Sequence, residues 1–303
     1  MTLALANGLS TFATSINGLK RNIGMEVEVG RFGTSIKEVP KTQGALQFRK
    51  TSDASVKPDG HELVIAPCAG DKFLESTATL YRLLTTHHAE VNETCGFHVH
   101  IDGRDLSWVQ IRQLAKVYTQ YEREIYGLLP LHRENNQYSK IGKSELFAIA
   151  QAKSKNEIYT ALYFKDVVRD VFTRVSRDPH VPPPTIPPEP MHGNARYLYT
   201  HKRDKYRGNT RYSGLNLNSY CHRGTIEWRQ HQGTTAIADL IFWPLFCGWF
   251  TEIGANFQQK RELPGSILEF TRLMPPAIYE YISAKKANKA NIYPSITIER
   301  NII

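Results

Sequence analysis

The chain has 303 residues, 41 % of them hydrophobic and 22 % charged, and carries a formal net charge of +9 at pH 7. A chain of this length and ordinary composition buries a substantial core and is read as one domain over residues 1–303. A disulfide scaffold is excluded, because Cys68, Cys95, Cys221 and Cys247 occur singly, and no membrane span is expected, because the richest apolar run, residues 241–250, is short and contains Pro244.

The first twenty residues are mildly apolar but lack a basic stretch ahead of the apolar part, so no secretory signal is expected and a cytoplasmic location is. GMEVEV then alternates Glu26 and Glu28 with Met25, Val27 and Val29, the period of a strand with one apolar and one acidic face. GALQFRK and HELVIAP are further strands, separated by the turn-rich TSDASVKPDG, and Glu62 shares a face with Val64 and Ala66. DKFLESTATLYRLLTTHH reads as a helix with Asp71 as its cap. In CGFHVHID, His98 and His100 alternate with Phe97, Val99 and Ile101. A long amphipathic helix follows from Trp108 to Leu128, its apolar residues at three- and four-residue spacing, and Pro130 stops it.

Residues 144–171 read as mostly helical, and 178–193 as a proline-rich loop unable to form helix or central strand. Residues 196–211 interleave Tyr197, Tyr199 and Tyr206 with four arginines, a composition that suits either a basic loop or a grip on phosphates and bases. RYSGLNLNSY and GTIEWRQHQGT are expected to be adjacent strands, with Asn216 and Asn218 on one face of the first and Glu227, Arg229 and His231 on one face of the second. An apolar helix over 236–257, kinked near Pro244, and a helical region over 267–286, broken at Pro275 and Pro276, complete the chain. Strands and helices do not alternate regularly, so the expected class is α+β with a mainly antiparallel sheet.

Three faces loaded only with Glu, His and Arg are unlike ordinary wet strand faces, which would mix in Thr, Ser and Lys. Two carboxylates ~5 Å apart repel by ~3 kcal/mol at an effective dielectric of 20, and a divalent ion relieves that repulsion. Carboxylates with one or two imidazoles suit Mg²⁺ or Mn²⁺, which complete their shells with substrate phosphates. With Arg229 beside Glu227, the combination points to phosphoryl transfer from a nucleoside triphosphate. No P-loop, protein-kinase signature or Gly-x-Ser-x-Gly elbow is present. The net charge of +9 is consistent with an anionic partner, whether nucleotide, acidic substrate or nucleic acid, and does not choose among them.

Six segments in this order, IGMEVEV, SDASVKPDGHELVIAP, NETCGFHVHID, LHRENNQY, RYSGLNL and GTIEWRQHQGT, resemble the carboxylate–amine ligases of the glutamine synthetase and gamma-glutamylcysteine synthetase superfamily, most closely the amidoligase branch. The resemblance runs over residues 23–234. It implies a glutamine-synthetase-like catalytic domain whose curved antiparallel sheet, backed by helices, holds ATP and Mg²⁺ or Mn²⁺ on its concave side. It further implies that ATP phosphorylates a small-molecule or peptide carboxylate and that an amine displaces the phosphate to give an amide. Carried over position by position, the metal ligands are Glu26, Glu28, Glu62, His98 and Glu227. Arg229 is the phosphate-directed arginine, and Arg133 follows the long helix with a phosphate or substrate role. His100 is a further expected catalytic contact, and Arg211, Asn216 and His231 join Arg229 as expected nucleotide contacts. Asp53-Ala54-Ser55 departs from the family's usual Asp-Gly-Ser, and the proline-rich 178–193 has no counterpart. The competing readings are a metal-dependent nuclease or phosphoesterase and a non-catalytic binding protein on a ligase-like scaffold.

Overall fold

The computed structural model describes residues 16, 18–33, 42–43, 46–50, 55–142, 144–155, 157–158, 160–162, 211–258 and 261–287. The turn residues 53–54, the proline-rich 178–193 and the basic stretch 196–210 lie outside the described residues.

In chain order the strands are β1 (Ile23–Val29), β2 (Arg31–Phe32), β3 (Thr42–Gln43), β4 (Leu46–Lys50), β5 (His61–Cys68), β6 (Ala89–Glu90), β7 (Gly96–Asp102), β8 (Leu215–Asn216) and β9 (Thr225–Gln232). The helices are α1 (Gly70–Thr86), α2 (Trp108–Tyr126), α3 (Ser144–Gln151), α4 (Asn218–Arg223), α5 (Ile237–Ala255), α6 (Ile267–Thr271) and α7 (Pro276–Ala287). Seven strands form one sheet in the order β3-β4-β5-β1-β7-β9-β8, and all its neighbouring pairs are antiparallel. The class is therefore α+β, a curved open sheet backed by helices, as the mixed element order implies.

Alternation sorts the sheet's two faces. Met25, Val27, Leu63, Ile65, Phe97, Val99, Ile101, Ile226 and Trp228 all point to the helical side and are buried there. Removing each such side chain from water contributes ~1.5–3 kcal/mol, which is what pins the register. Trp228 is packed edge-on by Tyr118 of α2 and by Phe246 and Phe250 of α5. Helix α5 is, contrary to the expectation from residues 241–250, long and apolar enough to cross a membrane by length and composition alone; here most of it is buried as the central core helix. It continues through Pro244. Helix α2 starts where Ser107 and Gln110 form a reciprocal capping box and ends four residues before Pro130.

Two local expectations fail for physical reasons. Helix α1 begins one residue before Asp71, at Gly70, and its N-cap is Ala69 with no side-chain hydrogen bond, so Asp71 sits in the first turn rather than capping it. The strand expected through RYSGLNLNSY is only Leu215–Asn216, because Asn216 Oδ1 accepts from the backbone N–H of Asn218 at 3.0 Å and the chain turns into α4. Of the region 144–171, α3 and residues 155, 157–158 and 160–162 are helical, 152–154 are not, and 156, 159 and 163–171 lie outside the described residues.

Candidate active site

The polar face of the sheet is built in rungs by the strand register. Gly24, His100, Glu227 and Asn216 line up across β1, β7, β9 and β8. The next rung holds Val64, Glu26 and His98 across β5, β1 and β7. Beyond it Glu62 faces Glu28 across β5 and β1. Glu26, His98, His100 and Glu227 are each no more than 9 % exposed, so their charges act with little screening.

Their polar atoms converge. Glu26 Oε1 lies 3.3 Å from His100 Nε2, and one ligand atom each from Glu26, His100 and Glu227 lies within 4.8 Å of the others. His98 Nδ1 is 3.5 Å from Glu26 Oε2 and 4.0 Å from Glu227 Oε1, yet it is buried with no hydrogen-bond partner. Buried polar atoms are nearly always paired, so an orphaned imidazole nitrogen facing two carboxylates is itself a sign of ligand chemistry. Gly96 makes room for that ring: a Cβ there would stand 2.7 Å from His98 Nε2 and 3.2 Å from Glu28 Oε2. Glu28 Oε2 in turn accepts the Gly96 N–H at 2.7 Å.

Neighbouring groups fix the carboxylates as anions. Burial pushes Glu227 upward, but the charges of Arg229 and His100 outweigh it and bring its pKa down to about 2. Burial opposes ionisation of Glu26 as well, and His100 and His98 hold it well below the usual carboxylate range. Asn216 Nδ2 donates to Glu227 Oε2 at 2.6 Å, and Arg229 Nη1 donates to Glu227 Oε1. Arg229 Nε donates to the Tyr138 carbonyl at 3.2 Å. Burial works against the Arg229 charge, but Glu227 raises its pKa above the ordinary value. Beneath His100, Nδ1 is 3.1 Å from Thr225 Oγ1, which is 3.0 Å from Ser219 Oγ.

The structure therefore brings together Glu26, His98, His100, Glu227, Arg229 and Asn216, with Glu28 and Glu62 one rung away. Three expected residues stand elsewhere. His231 was placed beside Arg229 by strand parity, but Phe97 pairs with His231 while Val99 pairs with Trp228, so Arg229 and Gln230 together oppose His98 in a β-bulge. The extra residue turns His231 to the helical side, where it is fully buried against Phe97 and Trp243. Arg133 is likewise buried, donating from Nε to the Gln230 carbonyl at 2.8 Å and from Nη2 to the Arg229 carbonyl at 3.0 Å. These are the carbonyls of the bulge, so Arg133 braces the segment that aims Arg229. Arg211 lies over the ring of Tyr212, 5.4 Å from its centroid, and Tyr212 packs on Tyr138.

Arg223, the last residue of α4, is absent from the sequence-based set. Its Nη1 donates to Glu26 Oε1 at 3.1 Å and stands 3.4 Å from His100 Nε2. A six-residue helix is too short to show periodicity, so only the basic residue directly before Gly224 signalled it.

The family model described as "putative amidoligase enzyme" matches residues 34–251, well over half of the chain. The matched span includes Glu62, His98, His100, Glu227 and Arg229 and begins after Glu26 and Glu28. No curated protein and no solved structure matches the chain. The chain belongs to the amidoligase family, a ligase-type enzyme family.

Proposed function

We propose that this member of the amidoligase family is an ATP-dependent carboxylate–amine ligase on a glutamine-synthetase-like catalytic domain, forming an amide through an acyl-phosphate. The observation that carries the reading is the convergence of Glu26, His98, His100 and Glu227 on one sheet face with Arg229 locked beside them. Two anionic carboxylates and two imidazoles, one with an orphaned nitrogen, fit a divalent ion. Two nitrogen donors favour Mn²⁺ over Mg²⁺ relative to an all-oxygen site. When bound, the ion supplies charge neutralisation for the triphosphate and a template for it. Glu28 and Glu62, facing each other one rung away, are the carboxylates for a second ion.

In this reading the side chains of the chain orient and stabilise. Arg229 is anchored through Nε and Nη1, which leaves Nη2 to meet the transferring phosphoryl group without a conformational search. Arg133 keeps the bulge rigid from below. The γ-phosphoryl group passes to the substrate carboxylate with release of ADP, and the amine then expels phosphate as the amide bond forms. ADP and phosphate are expected only with both a carboxylate and an amine present. Release of AMP and pyrophosphate would contradict the mechanism.

The same donor set suits a metal-dependent phosphoesterase or nuclease, since two imidazoles and a carboxylate also hold hydrolytic ions. Metal-dependent cleavage of a phosphodiester without ATP would favour that second reading. The deciding measurement is calorimetric titration of ATP with Mg²⁺ or Mn²⁺ into wild type, Glu26→Gln and Glu227→Gln. Metal-dependent binding that weakens about tenfold or more in both variants is expected; folded wild-type protein that ignores ATP with either ion would remove the ligase reading.

A further inference from the structure

Arg223 stands on the very atoms that the ion would use. Its Nη1 is 3.1 Å from Glu26 Oε1 and 3.4 Å from His100 Nε2, and those two atoms are 3.3 Å apart. A guanidinium can only donate, so Arg223 Nη1 donates to Glu26 Oε1, the same oxygen that His100 Nε2 faces at 3.3 Å. Two buried carboxylates, Glu26 and Glu227, converge at this point, an arrangement that repels unless positive charge sits with it. Arg223 provides the charge.

An ion ~2.1 Å from both atoms would come within about 4 Å of Arg223 Nη1 on whichever side it bound. The two cations therefore exclude each other in this position. The tethers differ in a way that shows which one yields. Arg229 is held at two nitrogens and its side chain is 16 % exposed, whereas Arg223 makes its contacts through Nη1, is 47 % exposed and ends a six-residue helix at Gly224, whose φ is 70°. Long, half-exposed arginines with one donor engaged are easily redirected, and a guanidinium redirected beside a phosphate gains paired hydrogen bonds.

We propose that Arg223 is an exchangeable cation of the site, competing with the divalent ion for Glu26 and His100 and, once displaced, engaging the phosphate that arrives with the ion. The inference rests on the metal-dependent reading above. Its first half is tested by calorimetric titration of Mn²⁺ into wild type, Arg223→Gln and Arg223→Lys, with thermal unfolding of the metal-free proteins to verify folding. Arg223→Gln should bind Mn²⁺ about tenfold more tightly than wild type, with Arg223→Lys between, and Mn²⁺ should raise its melting temperature by more. Equal or weaker Mn²⁺ affinity in Arg223→Gln overturns the exchange while leaving the metal site standing if wild type binds. Failure of all three proteins to bind Mn²⁺ overturns the metal site and the exchange with it. The second half is read with Mn²⁺ saturating: ATP should bind Arg223→Gln several-fold more weakly than wild type, and equal affinity removes Arg223 from the phosphate.

Discussion

Strand β9 carries acid–histidine clusters on both of its faces, and they are built on opposite plans. On the helical side Asp239 is fully buried, with Lys285 Nζ at 3.0 Å, the Tyr281 hydroxyl donating at 2.6 Å and the Thr234 hydroxyl donating at 3.2 Å. His231 Nε2 lies 3.7 Å from the same carboxylate, and its Nδ1 donates to the Gln232 carbonyl at 2.7 Å. One carboxylate thus meets its own lysine and two hydroxyls, which balance its charge within the chain, while His231 Nε2 beside it makes no hydrogen bond. On the other side two buried carboxylates face two imidazoles, and the nearest removable cation is the half-exposed Arg223. Similar residue types therefore serve structure where the chain completes the charge balance, and support the proposed metal-dependent reading where it leaves that balance open.

The largest expected effect breaks the charge-balanced cluster. Asp239→Asn leaves Lys285 buried without an anion and should cost ~3–5 kcal/mol, read by thermal or denaturant unfolding. Burial alone would raise the Asp239 pKa, yet His231, Lys285 and Tyr281 hold it well below the ordinary carboxylate value. The sign follows: a depressed native pKa adds stability above the unfolded value near 4, and that stability is lost as the pH falls below it. Asp239→Asn should accordingly flatten the acid limb of the stability curve. A variant as stable as wild type, or one with an unchanged acid limb, would show that the helical-side cluster is not what it is taken to be.

An intermediate effect is expected at the joint between the two faces. Arg133 is buried and gives two hydrogen bonds to the bulge carbonyls of Arg229 and Gln230, and burial lowers its pKa to about 10. Arg133→Met leaves both carbonyls unsatisfied at a cost of ~2–3 kcal/mol. Because the bulge positions Arg229, ATP affinity should fall as well, although Arg133 itself is tied to backbone. Loss of ATP binding with unfolding stability intact would instead return Arg133 to the direct phosphate role that the resemblance implied.

Much of the site was legible because a period of two survives translation into structure. Glu26, Glu28, Glu62, His98, His100 and Glu227 all share the face that alternation assigned them, and the apolar partners of those residues form the core. The misplacement of His231 shows where the method stops. The letters E-W-R-Q-H alternate without interruption, but a bulge is a property of two strands in register, and nothing in one strand's own pattern records the extra residue opposite His98. Arg223 was hidden for a related reason, since α4 is too short to display helical spacing and arises from the Asn216 side chain turning the chain.

The smallest expected effect is the sharpest test of that bulge. His231→Phe keeps a flat ring between Phe97 and Trp243 but removes one hydrogen bond to the Gln232 carbonyl and the 3.7 Å contact with Asp239, so stability should drop by ~1–2 kcal/mol. His231 lies on the helical side, and Asp239 keeps Lys285 and Tyr281. Mn²⁺ and ATP affinities should therefore stay within about twofold of wild type, a difference below ~0.4 kcal/mol. Strict alternation predicts the contrary, because it sets His231 beside Glu227 and Arg229, where losing an imidazole would weaken ligand binding about tenfold or more. Calorimetry on this single variant separates the two registers: intact binding with slightly lower stability fixes the bulge, and lost binding with full stability returns His231 to the site face.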